Sequence, residues 1–262
     1  MDIEEHNLSE IQRTNQRGGR CLSVIDLIQD NTLTASMAAL SWNLIEAGTS
    51  YLTGAVPGGA GKTTLLAGLL AFLPPGERIV TASEPEVVRH AVNGKLENPY
   101  CLLAHEIGQG PWFAYIWGET ARRFFAARGE GCRRVTCLHA DDPRQTESIL
   151  RDCGVAQEDI SGIEMELFIR IFRGTRRMHR VTSIFYRFGD TMEQIYEWQK
   201  GDDHFEQHME TNELSERIAH QLGVSGGDFH DKWEDKTQFL ANLSKNEVRD
   251  FGKVRQAILE MY

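Results

Sequence analysis

The chain alternates between two kinds of apolar pattern. Four short runs predict strands: Tyr51-Leu52-Thr53, Arg78-Ile79-Val80-Thr81, Cys101-Leu102-Leu103-Ala104 and Val135-Thr136-Cys137-Leu138-His139. The segments between them have helical spacing. Thr34 caps a predicted helix whose apolar positions are Met37, Leu40, Leu44 and Ile45. Leu65 to Leu73 is helix-prone, and Asp142 and Pro143 read as the cap and first residue of a helix through Leu150. The stretch from about Pro111 to Arg128 reads as one long helix. Strands alternating with helices at this spacing predict an α/β fold, a mostly parallel sheet with helices on both faces. Leu167 to Phe172 and Val181 to Phe188 flank Arg173-Gly174-Thr175 and predict a hairpin.

Polar patterning sets the expected boundaries. Residues 1–20 carry Arg13, Arg17 and Arg20 near Gly18-Gly19 and read as a flexible polar arm. Residues 21–190 form the expected core domain. From Asp190 the composition turns acidic, with amphipathic segments at Glu213–Leu222 and roughly Phe229–Tyr262, so residues 191–262 are expected to form a small α-helical C-terminal appendage.

Composition narrows the function classes. The 262 residues are 41% apolar and 25% charged, which is ordinary for a globular protein. A formal net charge of −10 disfavours a broad nucleic-acid or anionic-membrane surface, so no nucleic-acid partner is expected. Cys21, Cys101, Cys132, Cys137 and Cys153 include no Cys-x-x-Cys pair and read as reduced thiols. No apolar stretch is long enough to span a bilayer, and residues 1–20 are too polar for a signal peptide. The expectation is a cytoplasmic protein, peripheral at a membrane only through a partner.

The strongest chemical signal is Val56-Pro57-Gly58-Gly59-Ala60-Gly61-Lys62-Thr63-Thr64, which follows the first predicted strand and opens a helix. Glycines let backbone N–H groups curl around a phosphate, a geometry side chains obstruct. The helix N-terminus adds partial positive charge. This assigns Pro57, Gly58, Gly59, Ala60, Gly61, Lys62, Thr63 and Thr64 to a nucleotide, with Lys62 on the β/γ-phosphates and the Thr63 hydroxyl on Mg²⁺. The strict pattern has glycine where Val56 stands, and the nearest upstream glycine is Gly54.

Hydrolysis needs an acidic residue at the end of a neighbouring strand to orient metal or water. Glu106 fits, because an apolar run leads to it. Glu119, after Tyr115-Ile116-Trp117-Gly118, is the alternative. His139 ends the fourth predicted strand and would face the crevice at the carboxyl edge of a parallel sheet. Arg173, Arg176, Arg177 and Arg180 with His179 form a basic run that reads either as a solvated hairpin edge or as a contact to phosphate or a neighbouring subunit. His204 and His208, four apart, have the spacing of a helical metal pair, although the surrounding acidic segment argues for an ordinary surface.

With these residues in place, the chain resembles the type II/type IV secretion ATPase superfamily, and most closely its archaeal branch that drives pilus and archaellum assembly. Leu22 to Ile28, then Thr32-Leu33-Thr34 and Ala38 to Trp42, resemble the segment before that family's Walker A loop. Thr63 through Leu73-Pro74-Pro75-Gly76-Glu77-Arg78-Ile79-Val80 resembles its loop, helix and next strand. Pro99 to Glu106 resembles its Walker B strand, and Thr136-Cys137-Leu138-His139-Ala140-Asp141 resembles its histidine box. Phe239 to Tyr262 resembles its tail.

The resemblance implies a RecA-like ATPase core that binds ATP and Mg²⁺. It further implies a homo-oligomeric ring, usually a hexamer, and an integral-membrane platform protein as the object moved. It puts Glu106 on the water and His139 near the γ-phosphate. The family's acidic box begins with Glu where Ser83 stands here, which leaves Glu84 as the residue on the metal side. Arginines that the family places around its Walker B strand are replaced by Lys95 and Gln109 nearby, and its large N-terminal domain is expected to be missing. Arg122, Arg123, Arg176 or Arg177, or Arg13, Arg17 or Arg20 from the arm, would have to substitute. The resemblance therefore implies a motor ATPase. The alternative is a degenerate nucleotide-binding paralogue that regulates or caps a motor ring.

Overall fold

A computed structural model describes residues 2–262 except Arg17, Asn98, Gly174, Thr175 and Arg176. The expected contributions of Arg17 and Arg176, and the hairpin turn at Gly174-Thr175, lie outside the described residues.

Three helices come first: α1 (Ile3–Thr14), α2 (Val24–Gln29) and α3 (Ala35–Glu46). Ser23 and Asp26 form a reciprocal capping box on α2, and the Thr34 hydroxyl accepts from Met37 N at the start of α3. Strands and helices then alternate through β1 (Tyr51–Gly54), α4 (Lys62–Leu70), β2 (Arg78–Thr81), α5 (Pro85–Val92) and β3 (Tyr100–Leu103). Two short strands, β4 (Glu106–Ile107) and β5 (Tyr115–Ile116), precede α6 (Glu119–Ala126), β6 (Cys132–Leu138), α7 (Pro143–Asp152) and α8 (Gln157–Ile160). An antiparallel run follows, β7 (Met165–Arg173), β8 (Arg177–Phe188), β9 (Thr191–Gln199) and β10 (His204–Gln207). Three more helices end the chain, α9 (Thr211–Leu222), α10 (Gly226–Lys245) and α11 (Phe251–Leu259).

The sheet runs β10-β9-β8-β7-β1-β6-β3-β2. From β2 through β7 all neighbours are parallel, and β8, β9 and β10 add an antiparallel wing. Strand residues alternate between two cores. Tyr51, Cys101, Leu103, Val135 and Leu167 face one, and Leu52, Leu102, Leu138 and Phe168 face the other. Burial on both faces is why these strands read as continuous apolar runs.

Three expectations are corrected. First, residues 3–14 are not a free arm but a helix docked along edge strand β2. Asn7 Nδ2 donates to Glu77 O at 2.8 Å and its Oδ1 accepts from Ile79 N at 2.8 Å, while His6 Nε2 donates to Ile79 O at 2.8 Å. Polar side chains complete the open edge of the sheet, so the helix has little apolar signature in sequence. Second, residues 191–207 are strands, not helix, and the helices after them are built into the core. Trp233, Leu240, Val254 and Ile258 share one buried cluster with Trp42, Leu66 and Phe72. Arg255 bonds Glu4 at 2.8 and 2.9 Å, as well as Ala71 O and Leu73 O, which ties the two ends of the chain together. Third, the expected helix from Pro111 splits into β5 and α6, with Gly118 at positive φ between them. A two-residue strand is too short to leave a periodic signal.

Two buried charges generate predictions. Arg133 on β6 makes a bidentate pair with Glu77 at 2.7 and 2.8 Å and also donates to Ile45 O and Thr49 O, with both pair members buried. Removing the carboxylate strands a buried guanidinium, so Glu77→Ala is expected to lower unfolding free energy by about 3–5 kcal/mol in urea titrations. Glu166, the second residue of β7, is fully enclosed, and burial pushes its carboxyl up to about 7. A carboxyl raised in the folded state loses stability as pH climbs from its unfolded value near 4.5 through 7. Glu166→Gln should therefore be nearly neutral at pH 4 and stabilise by up to about 3 kcal/mol at pH 8, read from urea midpoints across pH.

Candidate active site

The register of the parallel strands assembles the site. Leu138 of β6 pairs with Gly54 of β1 on one side and with Ile107 of β4 on the other. The loop after Gly54, His139 after Leu138 and Glu106 before Ile107 therefore emerge side by side at the carboxyl end of the sheet. Gly54 itself cannot carry a Cβ, which would stand 2.6 Å from both Ala140 O and the Phe168 ring. This close approach lets the loop turn tightly over the sheet.

In that loop Gly59 (φ 84°) and Gly61 (φ 105°) hold left-handed backbone that other residues adopt only under strain. Three side chains pin it. Val56 N donates to Asp141 Oδ1 at 3.0 Å, His179 Nδ1 donates to Ala60 O at 2.8 Å, and His139 Nδ1 donates to Val56 O at 2.8 Å. Gly61 caps α4 without a side chain, so the first-turn amides of that helix face outward with no intrahelical acceptor. A Cβ at Gly61 would meet Ile169 at 3.2 Å and His179 at 3.4 Å. A glycine cradle at an uncapped helix N-terminus fits an oxyanion such as phosphate.

The charges converge behind the cradle. Lys62 Nζ lies 3.6 Å from Glu106 Oε2, with both side chains only 7% exposed. The ammonium also reaches Ala55 O at 3.4 Å and His139 Nε2 at 3.2 Å. Glu106 Oε1 is 2.8 Å from His139 Nε2, and its Oε2 accepts from the Tyr115 hydroxyl at 3.2 Å. A buried ammonium needs such a partner, and an arriving polyanion can replace it. One residue before Glu106, His105 is buried, and burial lowers its imidazole to about 4, so it is neutral at physiological pH. Gln16 Nε2 donates to Phe113 O at 3.1 Å and to His105 Nδ1 at 2.7 Å, tying the segment just after α1 to the residue before Glu106. Cys137 Sγ donates to His105 O at 2.8 Å, and burial raises this thiol to about 12, which makes it structural.

A cavity of about 610 Å³ is lined by residues from Gly58 to Thr64 together with Glu106 and His139, so the structure brings together most of the residues singled out in sequence. Pro57 is exposed and outside that lining. Thr63, in the first turn of α4, lines the cavity and has its hydroxyl 4.0 Å from Cys137 Sγ. Glu84 is not brought there. It is the exposed N-cap residue of α5 after β2, with two strands between β2 and β1. Glu119 is also outside the cavity, exposed and paired with Arg122 and Arg123 at the start of α6. Arg13 pairs with Glu10 and lies over the Phe113 ring, and Arg20 is held bidentate by Asp26. Sequence reading missed the anchoring roles of Asp141, His179 and Gln16. Asp141 left a signal two residues after His139, and His179 one in the basic run, whereas Gln16 left none.

No family model matches the chain. It is 27% identical to MJ1287, an uncharacterized protein of Methanocaldococcus jannaschii, over 252 residues that cover 85% of this chain and 92% of that protein. The fold is similar to the VirB11 ATPase of the Brucella suis type IV secretion system in complex with sulphate, with a TM-score of 0.41 and 16% identity over 67% of this chain and 63% of that one. It is similar to the Legionella pneumophila ATPase DotB, with a TM-score of 0.40 and 14% identity over 87% of this chain and 66% of that one. The chain spans less than two thirds of either solved chain. At these scores the likeness assigns no residue a role. Among the described residues no helix is long and apolar enough to cross a membrane.

Trp112 lines the same cavity and is 63% exposed. A ligand filling the cavity should shield it, so Mg²⁺–ATP is expected to reduce acrylamide quenching of tryptophan fluorescence in the wild type and leave quenching unchanged in Trp112→Phe. Equal shielding in the two proteins would move the ligand elsewhere.

Proposed function

We propose that this chain is a RecA-like P-loop ATPase, a cytoplasmic motor subunit of a type IV pilus-like or type II/IV secretion machine. It would work as a homo-oligomeric ring, usually a hexamer in the family it resembles, against an integral-membrane platform protein. One observation carries the enzymatic part of this reading: Lys62, Glu106 and His139 meet within 3.6 Å of one another beneath a glycine loop. The motor part rests on the resemblance of the Walker A, Walker B, histidine-box and tail segments. With ATP in the cradle, Lys62 leaves Glu106 for the β/γ-phosphates. The freed carboxylate then orients the attacking water, with His139 holding its other oxygen. Mg²⁺, held by Thr63, supplies charge neutralisation on the phosphates when bound.

The second reading, a nucleotide-binding regulator of a motor ring, is favoured by where the cations lie. Transition-state charge calls for more than Lys62, and an arginine finger is worth about 10³–10⁵ in rate. Arg13, Arg20, Arg122 and Arg123 are each committed to a carboxylate of this chain. Isolated protein should therefore turn over slowly, with stimulation on assembly.

The test pairs binding with turnover. Lys62→Ala should weaken Mg²⁺–ATP about ten- to a hundredfold by titration calorimetry, through loss of a charge-assisted contact. Glu106→Gln should keep ATP and lose phosphate release, whereas Glu119→Gln should be nearly silent. Specific activity that rises with protein concentration, in step with a larger species by light scattering, supports the ring motor. Equal ATP affinity in wild type and Lys62→Ala would overturn the site. Brisk, concentration-independent turnover from a verified monomer would overturn the need for assembly.

A further inference from the structure

The far edge of the sheet holds a second cluster of chemical groups, unrelated to the nucleotide cradle. In sequence, His204 and His208 have the spacing of a helical metal pair. The structure makes this segment strand β10, where residues 204 and 206 share a face and the chain continues along β9 to His208, whose N–H donates to Ile195 O at 3.1 Å. Glu206 stands directly opposite Glu197 of β9. Like charges opposed across an antiparallel pair destabilise it unless something compensates.

Gln199 Nε2 donates to both carboxylates, at 3.3 Å to Glu197 and 2.6 Å to Glu206, and holds them near each other. His208 Nε2 completes the group 3.5 Å from Glu197 Oε2. Ligand atoms of Glu197, Glu206 and His208 all lie within 4.8 Å of one another.

We propose that Glu197, Glu206 and His208 form a binding site for one divalent transition-metal ion of the zinc class. The donor set selects the class. Two carboxylates and an imidazole suit a borderline cation, whereas Ca²⁺ and Mg²⁺ take oxygen ligands alone. Zinc bonds at about 2.0–2.2 Å require the three donors to close by roughly an ångström, which rotamer changes of the exposed Glu206 and His208 supply. Three protein ligands leave a fourth position for water. Gln199 remains as an outer hydrogen-bond donor that orients both carboxylates. The ion neutralises the opposed glutamates and ties edge strand β10 to β9. His204, on the same strand but paired opposite Gln199, takes no part.

The test uses the full chain, stripped with chelator and titrated with zinc chloride by calorimetry. Wild type is expected to bind one equivalent, with 10 mM Mg²⁺ failing to compete. Glu206→Gln and His208→Ala should each weaken zinc about ten- to a hundredfold, while His204→Ala stays within twofold. Zinc should also raise the thermal midpoint of wild type and not that of His208→Ala. These surface variants should keep the wild-type circular dichroism spectrum. No zinc binding by wild type would overturn the proposal. So would unchanged affinity in both Glu206→Gln and His208→Ala, which would place the ion elsewhere, or loss of binding in His204→Ala.

Discussion

The shared register at Leu138 is the constraint on which the site depends. One row of the sheet holds Gly54, Leu138 and Ile107, so three chain segments far apart in sequence end together. Because side chains alternate with period two, a slip of one residue in β6 would turn its whole apolar set to the other face and point His139 away from the loop. The two-sided core forbids that slip, since Leu52, Leu102 and Leu138 fit one cluster while Tyr51, Leu103 and Val135 fit the other. The precision of the site is thus a product of the packing beneath it.

Electrostatics gives the arrangement its responsiveness. Lys62 is buried and answered by Glu106, which is answered in turn by His139 and Tyr115. Each partner is replaceable, because an incoming phosphate offers the ammonium a stronger acceptor pair than one shared carboxylate. The Arg133–Glu77 pair shows the opposite design. There the guanidinium is saturated by a carboxylate and backbone carbonyls, and it joins β6 to Glu77 at the sheet edge and to the end of α3.

The polar β2 edge of the sheet is covered by the N-terminal segment. Asn7 and His6 cover β2 with side-chain hydrogen bonds, and Arg255 links α11 to α1 through Glu4. Through Gln16 the same N-terminal segment reaches His105, next to Glu106. The segment just after α1 therefore meets the residue that precedes the central carboxylate.

Local sequence determined the parts that depend on neighbours in the chain. The Gly58–Thr63 loop, the caps Thr34 and Asp142 and the strand–helix alternation were legible because backbone conformation and short-range periodicity set them. The strand assignments at Tyr51, Arg78, Cys101 and Val135 needed nothing more. Tertiary structure decided what depends on who lies opposite. It set Glu106 beside Lys62 and left Glu119 at a solvated helix start, turned residues 191–207 into strands, docked α1, and kept Glu84 outside the cavity. The physical reason is that strand pairing and charge pairing take their energy from partners distant in sequence, so Glu197, Glu206 and His208 became a cluster only when β9 and β10 lay side by side.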